Sequence, residues 1–138
     1  MESNEKNILT ASQVARSAVS ILIEKKALNV KLYEVGESSA ITDFYVNATG
    51  RSQTQVSALA DELSVKLSEL GRDALRIEGK RGNAWLLVDY GDVIVNIFDR
   101  ESRDFYNHDR LMPAESACDI SDIIAEVDKK FEIKNAEV

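Results

Sequence analysis

Apolar positions recur with the helical period across residues 10–28, where Ala11, Val14, Ala15, Ala18, Val19 and Leu22 fall three and four apart and predict an amphipathic helix. The period then changes. Residues 30–35, VKLYEV, alternate as a short edge strand, and residues 41–48, ITDFYVNA, carry the aromatic and β-branched groups of a second strand. Thr49-Gly50 closes that strand and a helix opens at once. Ser52 and Gln55 stand at capping-box spacing, which would satisfy two backbone donors at the helix start. Val56, Leu59, Ala60, Leu63, Leu67 and Leu70 form one apolar stripe behind that cap, and Gly71 ends the run. Residues 74–78 predict a third strand ahead of the polar loop Gly79-Lys80-Arg81-Gly82-Asn83.

Residues 85–98, WLLVDYGDVIVNIF, read as a hairpin whose Gly91 supplies the positive φ of a tight turn. Its second strand sorts into two rows, because strand side chains alternate between faces. Val93, Val95 and Ile97 are uniformly apolar and belong in a core. Asp92, Ile94, Asn96 and Phe98 mix a charge, an amide and two large apolar groups, the composition of a recognition surface. A sheet covered by helices on both faces would produce the same mixture. With Tyr90-Gly91 as a two-residue loop, Asp89 faces Asp92, Leu87 faces Ile94 and Trp85 faces Asn96; a three-residue loop would put Leu86 and Val88 in those places instead. The first register is preferred, since it gathers Trp85, Asp89, Asp92 and Asn96 on one wet face.

The element order predicts a single α/β domain with a mixed sheet of about five strands and its helices mainly on one face. The strands at 41–48 and 74–78 should run parallel through a helical crossover, and the hairpin adds antiparallel strands. Two long helices are too few to hide both faces, which leaves the Asp92 row open to a partner. The following DRESRDFYNHDRL predicts a solvated, salt-bridged helix, with Phe105, Tyr106 and Leu111 spaced to dock on the domain. Residues 1–112 are taken as the domain and 113–138 as a C-terminal extension. In that extension Ile120, Ile123, Ile124, Val127 and Phe131 fall at helical spacing behind Ser121 as N-cap.

Composition narrows the class. A chain of 138 residues, 44% hydrophobic, can bury a core without staples. No apolar run reaches the roughly 20 residues that cross a bilayer, and the opening MESNEKN is not a signal peptide. The lone Cys118 favours an intracellular, cytoplasmic setting. A net charge of −7 disfavours broad phosphate-backbone contact and suits a basic protein partner.

Candidate chemistry is sparse. Gly50 and Ser52 at a strand-to-helix turn could cradle a phosphate, yet one glycine is a weak signal and a tight turn with an N-cap explains both. Magnesium chemistry there would need paired carboxylates, and the next strand offers only Glu78. Asp89 and Asp92, facing each other across the hairpin, would need a cation or a partner's basic side chain. His108 reads as a surface residue, and Cys118 lacks a neighbouring base. Arg51, Arg72, Lys80 and Arg81 are scattered over loops. An enzyme is not expected, and no cofactor or metal is.

The stretches TDFYVNATGRSQTQVSALADEL and RIEGKRGNAWLLVDYGDVIVNIFDRESRDFYNHDRL resemble the ribosomal silencing factor (RsfS, iojap) family over roughly residues 8–112, most specifically in W-x-L-x-DYGD followed by R-x-FY. The resemblance implies a nucleotidyltransferase-like fold without catalytic acids. It also implies a translational repressor that binds the large ribosomal subunit through its protein number fourteen and prevents joining of the small subunit. Three positions depart from the family pattern, which usually has histidine at Asn96, histidine or a similar group at Gln55, and often tryptophan at Met112. The expected partner-binding residues are Trp85, Leu87, Asp89, Tyr90, Asp92, Ile94, Asn96 and Phe98. The expected partners are a basic ribosomal protein, little nucleic acid, no membrane, and a second copy of the chain when free. The alternative is a nucleotide-binding or nucleotidyltransferase enzyme using the Gly50-Ser52 turn with Asp89 and Asp92.

Overall fold

The computed structural model describes residues 8–136. Helix α1 (Ala11–Glu24) leads into β1 (Leu28–Glu34), then β2 (Phe44–Gly50), α2 (Gln53–Glu69), β3 (Arg76–Lys80), β4 (Trp85–Asp89) and β5 (Val93–Asp99). A short α3 (Arg100–Tyr106), a 3₁₀ turn (His108–Leu111) and α4 (Ser121–Ala136) complete the chain. The five strands form one mixed sheet in the order β1-β2-β5-β4-β3. Strands β2 and β5 are parallel neighbours, and the other pairs are antiparallel. Strand β3 therefore runs in the same direction as β2, as the crossover requires, but β5 and β4 lie between them.

The apolar stripes explain the packing. Val14, Ala18 and Leu22 of α1, and Val56, Leu63 and Leu67 of α2, bury against Val46, Val88, Val93, Val95 and Ile97 on one face of the sheet. Leu70, the last of the α2 stripe, is 46% exposed, because the helix ends before it. A full capping box closes α1, where Thr10 accepts from Gln13 N and donates its own N–H to Gln13 Oε1. At α2 only half of the expected box forms. Ser52 Oγ accepts from Gln55 N at 3.1 Å, while the Gln55 side chain turns to Arg51 N instead of Ser52 N. Gly50 is needed for contact: a Cβ there would lie 2.9 Å from Val56 Cγ2 and 3.0 Å from Val56 N. That close approach seats α2 on the end of β2.

The C-terminal segment packs back on the domain. Ile123 and Val127 join α1 at the core edge, while Ile124 turns outward at 40% exposure. Lys130 pairs with Glu24 at 3.2 Å, Arg16 pairs with Asp122, and Lys26 Nζ sits 4.2 Å over the Phe131 ring. The start of α4 is held by Asp119 and not by Ser121: Asp119 Oδ1 accepts from Ser121 N at 2.9 Å. Upstream, Cys118 N donates to Leu32 O, tying the segment after Pro113 to the free edge of β1.

Candidate functional site

The hairpin forms with a register different from the expected one. Trp85 pairs with Phe98, Leu87 with Asn96 and Asp89 with Ile94. The ladder continues through Tyr90 N to Val93 O, so the two-residue loop is Gly91-Asp92, with Gly91 at φ 89°. The register is thus displaced by two residues, which preserves the facial sorting because strand faces repeat every second residue. Trp85, Leu87 and Asp89 share the second face with Ile94, Asn96 and Phe98, while Leu86 and Val88 turn to the core. Tyr90 also turns to the core, only 4% exposed, and does not belong to that face. Its apolar ring draws it out of the turn and into the ladder.

The second face is half covered. Helix α3 and the 3₁₀ turn lie over β2 and β5, so Asn96 is 1% and Phe98 0% exposed. Both were expected as contact residues; they now support the surface from beneath. Ile94 is also buried, at 5%. Trp85, Leu87 and Asp89 remain partly exposed. The covering segment does not dock through Phe105 and Leu111, which are 71% and 73% exposed. It docks through Arg103, Tyr106, His108 and Asp109.

Asp109 is the hub of that cover. Its carboxylate accepts from Arg103 Nε at 2.7 Å, from Tyr33 Oη at 2.7 Å and from Asn47 Nδ2 at 3.1 Å. Arg103, 6% exposed, gives its Nη1–H to Thr49 Oγ1 at 2.9 Å. Burial pushes the Asp109 carboxyl up, but the hydrogen bonds from Arg103, Tyr33 and Asn47 outweigh it and hold the pKa at about 2. Burial raises the Tyr33 hydroxyl, and the same carboxylate adds to the effect. His108 is half-buried, not the surface residue expected. Its Nδ1 lies 3.1 Å from Asn47 Nδ2 and its ring meets Tyr45 edge-on at 4.8 Å. Burial lowers its pKa, favouring the neutral ring that can accept from Asn47.

From Asn47 the polar contacts run across the sheet. Asn96 Nδ2 donates to Asn47 Oδ1 at 3.1 Å, and Trp85 Nε1 donates to Asn96 Oδ1 at 3.0 Å. The Trp85 ring lies 5.0 Å from Phe98 and 4.7 Å from Tyr106. An aromatic group at the edge of the open face is therefore held from several sides. Reading Tyr45, Asn47 and Thr49 as a row like that of Ile94, Asn96 and Phe98 would have found the inner half of this network. Arg103 and Asp109 carried no such signal, since charged residues in a polar segment read as solvated.

The two acids are already engaged. Asp89 faces Ile94, not Asp92; it takes Arg76 Nε at 3.1 Å and Gly91 N at 2.8 Å. Asp92 pairs with Arg72, which also donates to Tyr90 O at 3.2 Å and Leu9 O at 3.1 Å. The two carboxylates thus have separate arginines from their own chain. Among the described residues, no three or more His, Cys, Asp or Glu side chains cluster as metal ligands, and no helix is long and apolar enough to cross a membrane.

The fold is shared by solved proteins. A crystal structure from Chromobacterium violaceum superposes with a TM-score of 0.72 at 31% identity, covering 75% of this chain and 87% of its own. A second, from Bacillus halodurans, gives 0.63 at 34% identity over 78% and 95%. Residues 8–137 match the family described as "Ribosomal silencing factor during starvation". The ribosomal silencing factor RsfS of Halalkalibacterium halodurans is 34% identical over 75% of this chain and 88% of its own. The factor of the same name from Bacillus subtilis is 32% identical over 78% and 86%. The mouse protein named mitochondrial assembly of ribosomal large subunit protein 1 is 28% identical over 78% of this chain and 49% of its own. The chain belongs to the ribosomal silencing factor family.

Proposed function

We propose that this protein represses translation by binding the large ribosomal subunit through its protein number fourteen and blocking union with the small subunit. The reading rests on family membership and, in this chain, on one observation: the open strip of Trp85, Leu87 and Asp89 is held by a buried frame before any partner arrives. Trp85 and Leu87 offer apolar contact. Asp89, though paired with Arg76, lies on the same strip, and the chain's net charge of −7 suits a basic protein. The relative named for assembly of the ribosomal large subunit points to the same subunit. The protein acts in the cytoplasm without catalysis, with little contact to nucleic acid, and pairs with a second copy when free of the ribosome.

Co-sedimentation with separated subunits tests this. The protein should travel with the large subunit and not the small, and should lower the yield of joined ribosomes. Equal association with both, or unchanged joining at saturating protein, would refute it. The nucleotide-binding alternative draws less support, because Gly50 is explained by its contact with Val56 and Ser52 by its cap. Magnesium with a nucleoside triphosphate should leave the melting temperature unchanged.

A further inference from the structure

Trp85 is the chain's single tryptophan, and the hydrogen bonds leading to it have a direction. An indole N–H can only donate, and an ionised carboxylate can only accept. Between the Trp85 indole and the Asp109 carboxylate stand two buried amides, Asn96 at 1% and Asn47 at 0% exposure. Each presents one donating and one accepting end. A single orientation of the pair satisfies both termini: Asn47 Nδ2 toward Asp109, Asn47 Oδ1 toward Asn96 Nδ2, and Asn96 Oδ1 toward Trp85 Nε1. Turning either amide sets donor against donor or acceptor against acceptor where water cannot intervene.

We propose that Asp109 is a positioning residue for partner docking: acting through Asn47 and Asn96, its carboxylate sets the hydrogen-bond polarity that holds the Trp85 indole in its binding orientation. This rests on the reading of the Trp85 strip as the docking surface. His108 fits this polarity, because the neutral tautomer with its proton on Nε2 accepts at Nδ1 from the same Asn47 amide. Asp109 itself sits on the far side of two side chains from Trp85 and need touch no partner. Its own position is fixed by Arg103 and Tyr33, so the cover over the sheet and the orientation of the indole are coupled.

The lone indole makes the idea measurable, since it gives one side-chain N–H resonance in a ¹⁵N-labelled full-length protein. Asp109→Asn keeps the shape but removes the acceptor-only terminus. Its indole resonance should move, its exchange with solvent should quicken, and affinity for large subunits should fall by about tenfold, the loss of one well-placed contact. The double change Asp109→Asn with Asn47→Asp moves the acceptor-only group one step along, next to Asn96, and keeps the same polarity toward Trp85. It should restore both the resonance and the affinity, which simple loss of packing would not do. Asn47→Ala leaves the Asp109, Arg103 and Tyr33 cluster in place and should reproduce the defect. If folded Asp109→Asn and Asn47→Ala keep the wild-type resonance, the proposal is wrong. A displaced resonance with unchanged affinity overturns it equally. Failure of the wild type itself to bind large subunits would instead defeat the docking reading, and the proposal with it.

Discussion

Removing the Asp109 carboxylate strands a buried cation. In Asp109→Ala the Arg103 guanidinium, whose side chain is 7% exposed, keeps only the Thr49 hydroxyl among its described hydrogen-bond partners. Breaking a buried ion pair from one side costs about 3–5 kcal/mol. Asp109 is 24% exposed, which puts the expectation at the lower end, about 3 kcal/mol. The direction of the carboxyl's pKa points the same way. Its pKa falls from the ordinary 3.8 to about 2, worth about 2 kcal/mol of stability at neutral pH. Either is a large part of the roughly 5–15 kcal/mol that holds a domain together. Because the folded pKa is depressed, this stability is complete above pH 3.8 and is lost as pH falls toward 2. Equilibrium urea unfolding should therefore show a gap between wild type and Asp109→Ala at pH 7 that narrows as pH falls from about 4 toward 2. Arg103→Met combined with Asp109→Ala should cost less than Asp109→Ala alone, since no charge is left unpaired. A gap below about 1 kcal/mol at pH 7, or a double variant worse than the single, would refute the hub role given to this pair.

Other expectations follow from the packing. Gly50→Ala should destabilise by about 1–3 kcal/mol in thermal unfolding, because its Cβ would meet the Val56 backbone as well as its side chain. Burial lowers the His108 pKa, so the unfolded chain takes up a proton first; stability should decline as pH drops below 6.5, and His108→Gln should flatten that part of the profile. Asp92→Asn should cost at most about 1 kcal/mol by denaturation, since it breaks the half-exposed pair with Arg72 and does not relieve a clash with Asp89.

The elements were legible where apolar spacing was regular. The α2 stripe, the Val93, Val95 and Ile97 row and the one-sided helical layer all follow from period and burial. The register of the hairpin was not, because Gly91 suits either loop position and the choice fell to Tyr90, whose ring is better buried than turned to solvent. Face assignment survived only because the error was an even number of residues. The cover over Asn96 and Phe98 was hidden for a different reason. Arg103 and Asp109 are six positions apart in a charged segment, and only the folded chain brings them over Thr49, Asn47 and Tyr33 to neutralise each other. Of the three residues spaced to dock, Tyr106 packs against Trp85, while Phe105 and Leu111 point outward. A charge pattern read without its partners suggests solvent, and here it suggested the wrong lid.

Under the proposed function, the strip at Leu87 meets protein number fourteen of the large subunit. A photo-crosslinking side chain in place of Leu87, which is partly exposed on the open face, would report its neighbour directly. After irradiation on purified large subunits, one dominant adduct is expected, to protein number fourteen, competed away by unlabelled wild type. Efficient co-sedimentation with adducts only to ribosomal RNA or to other proteins would contradict it.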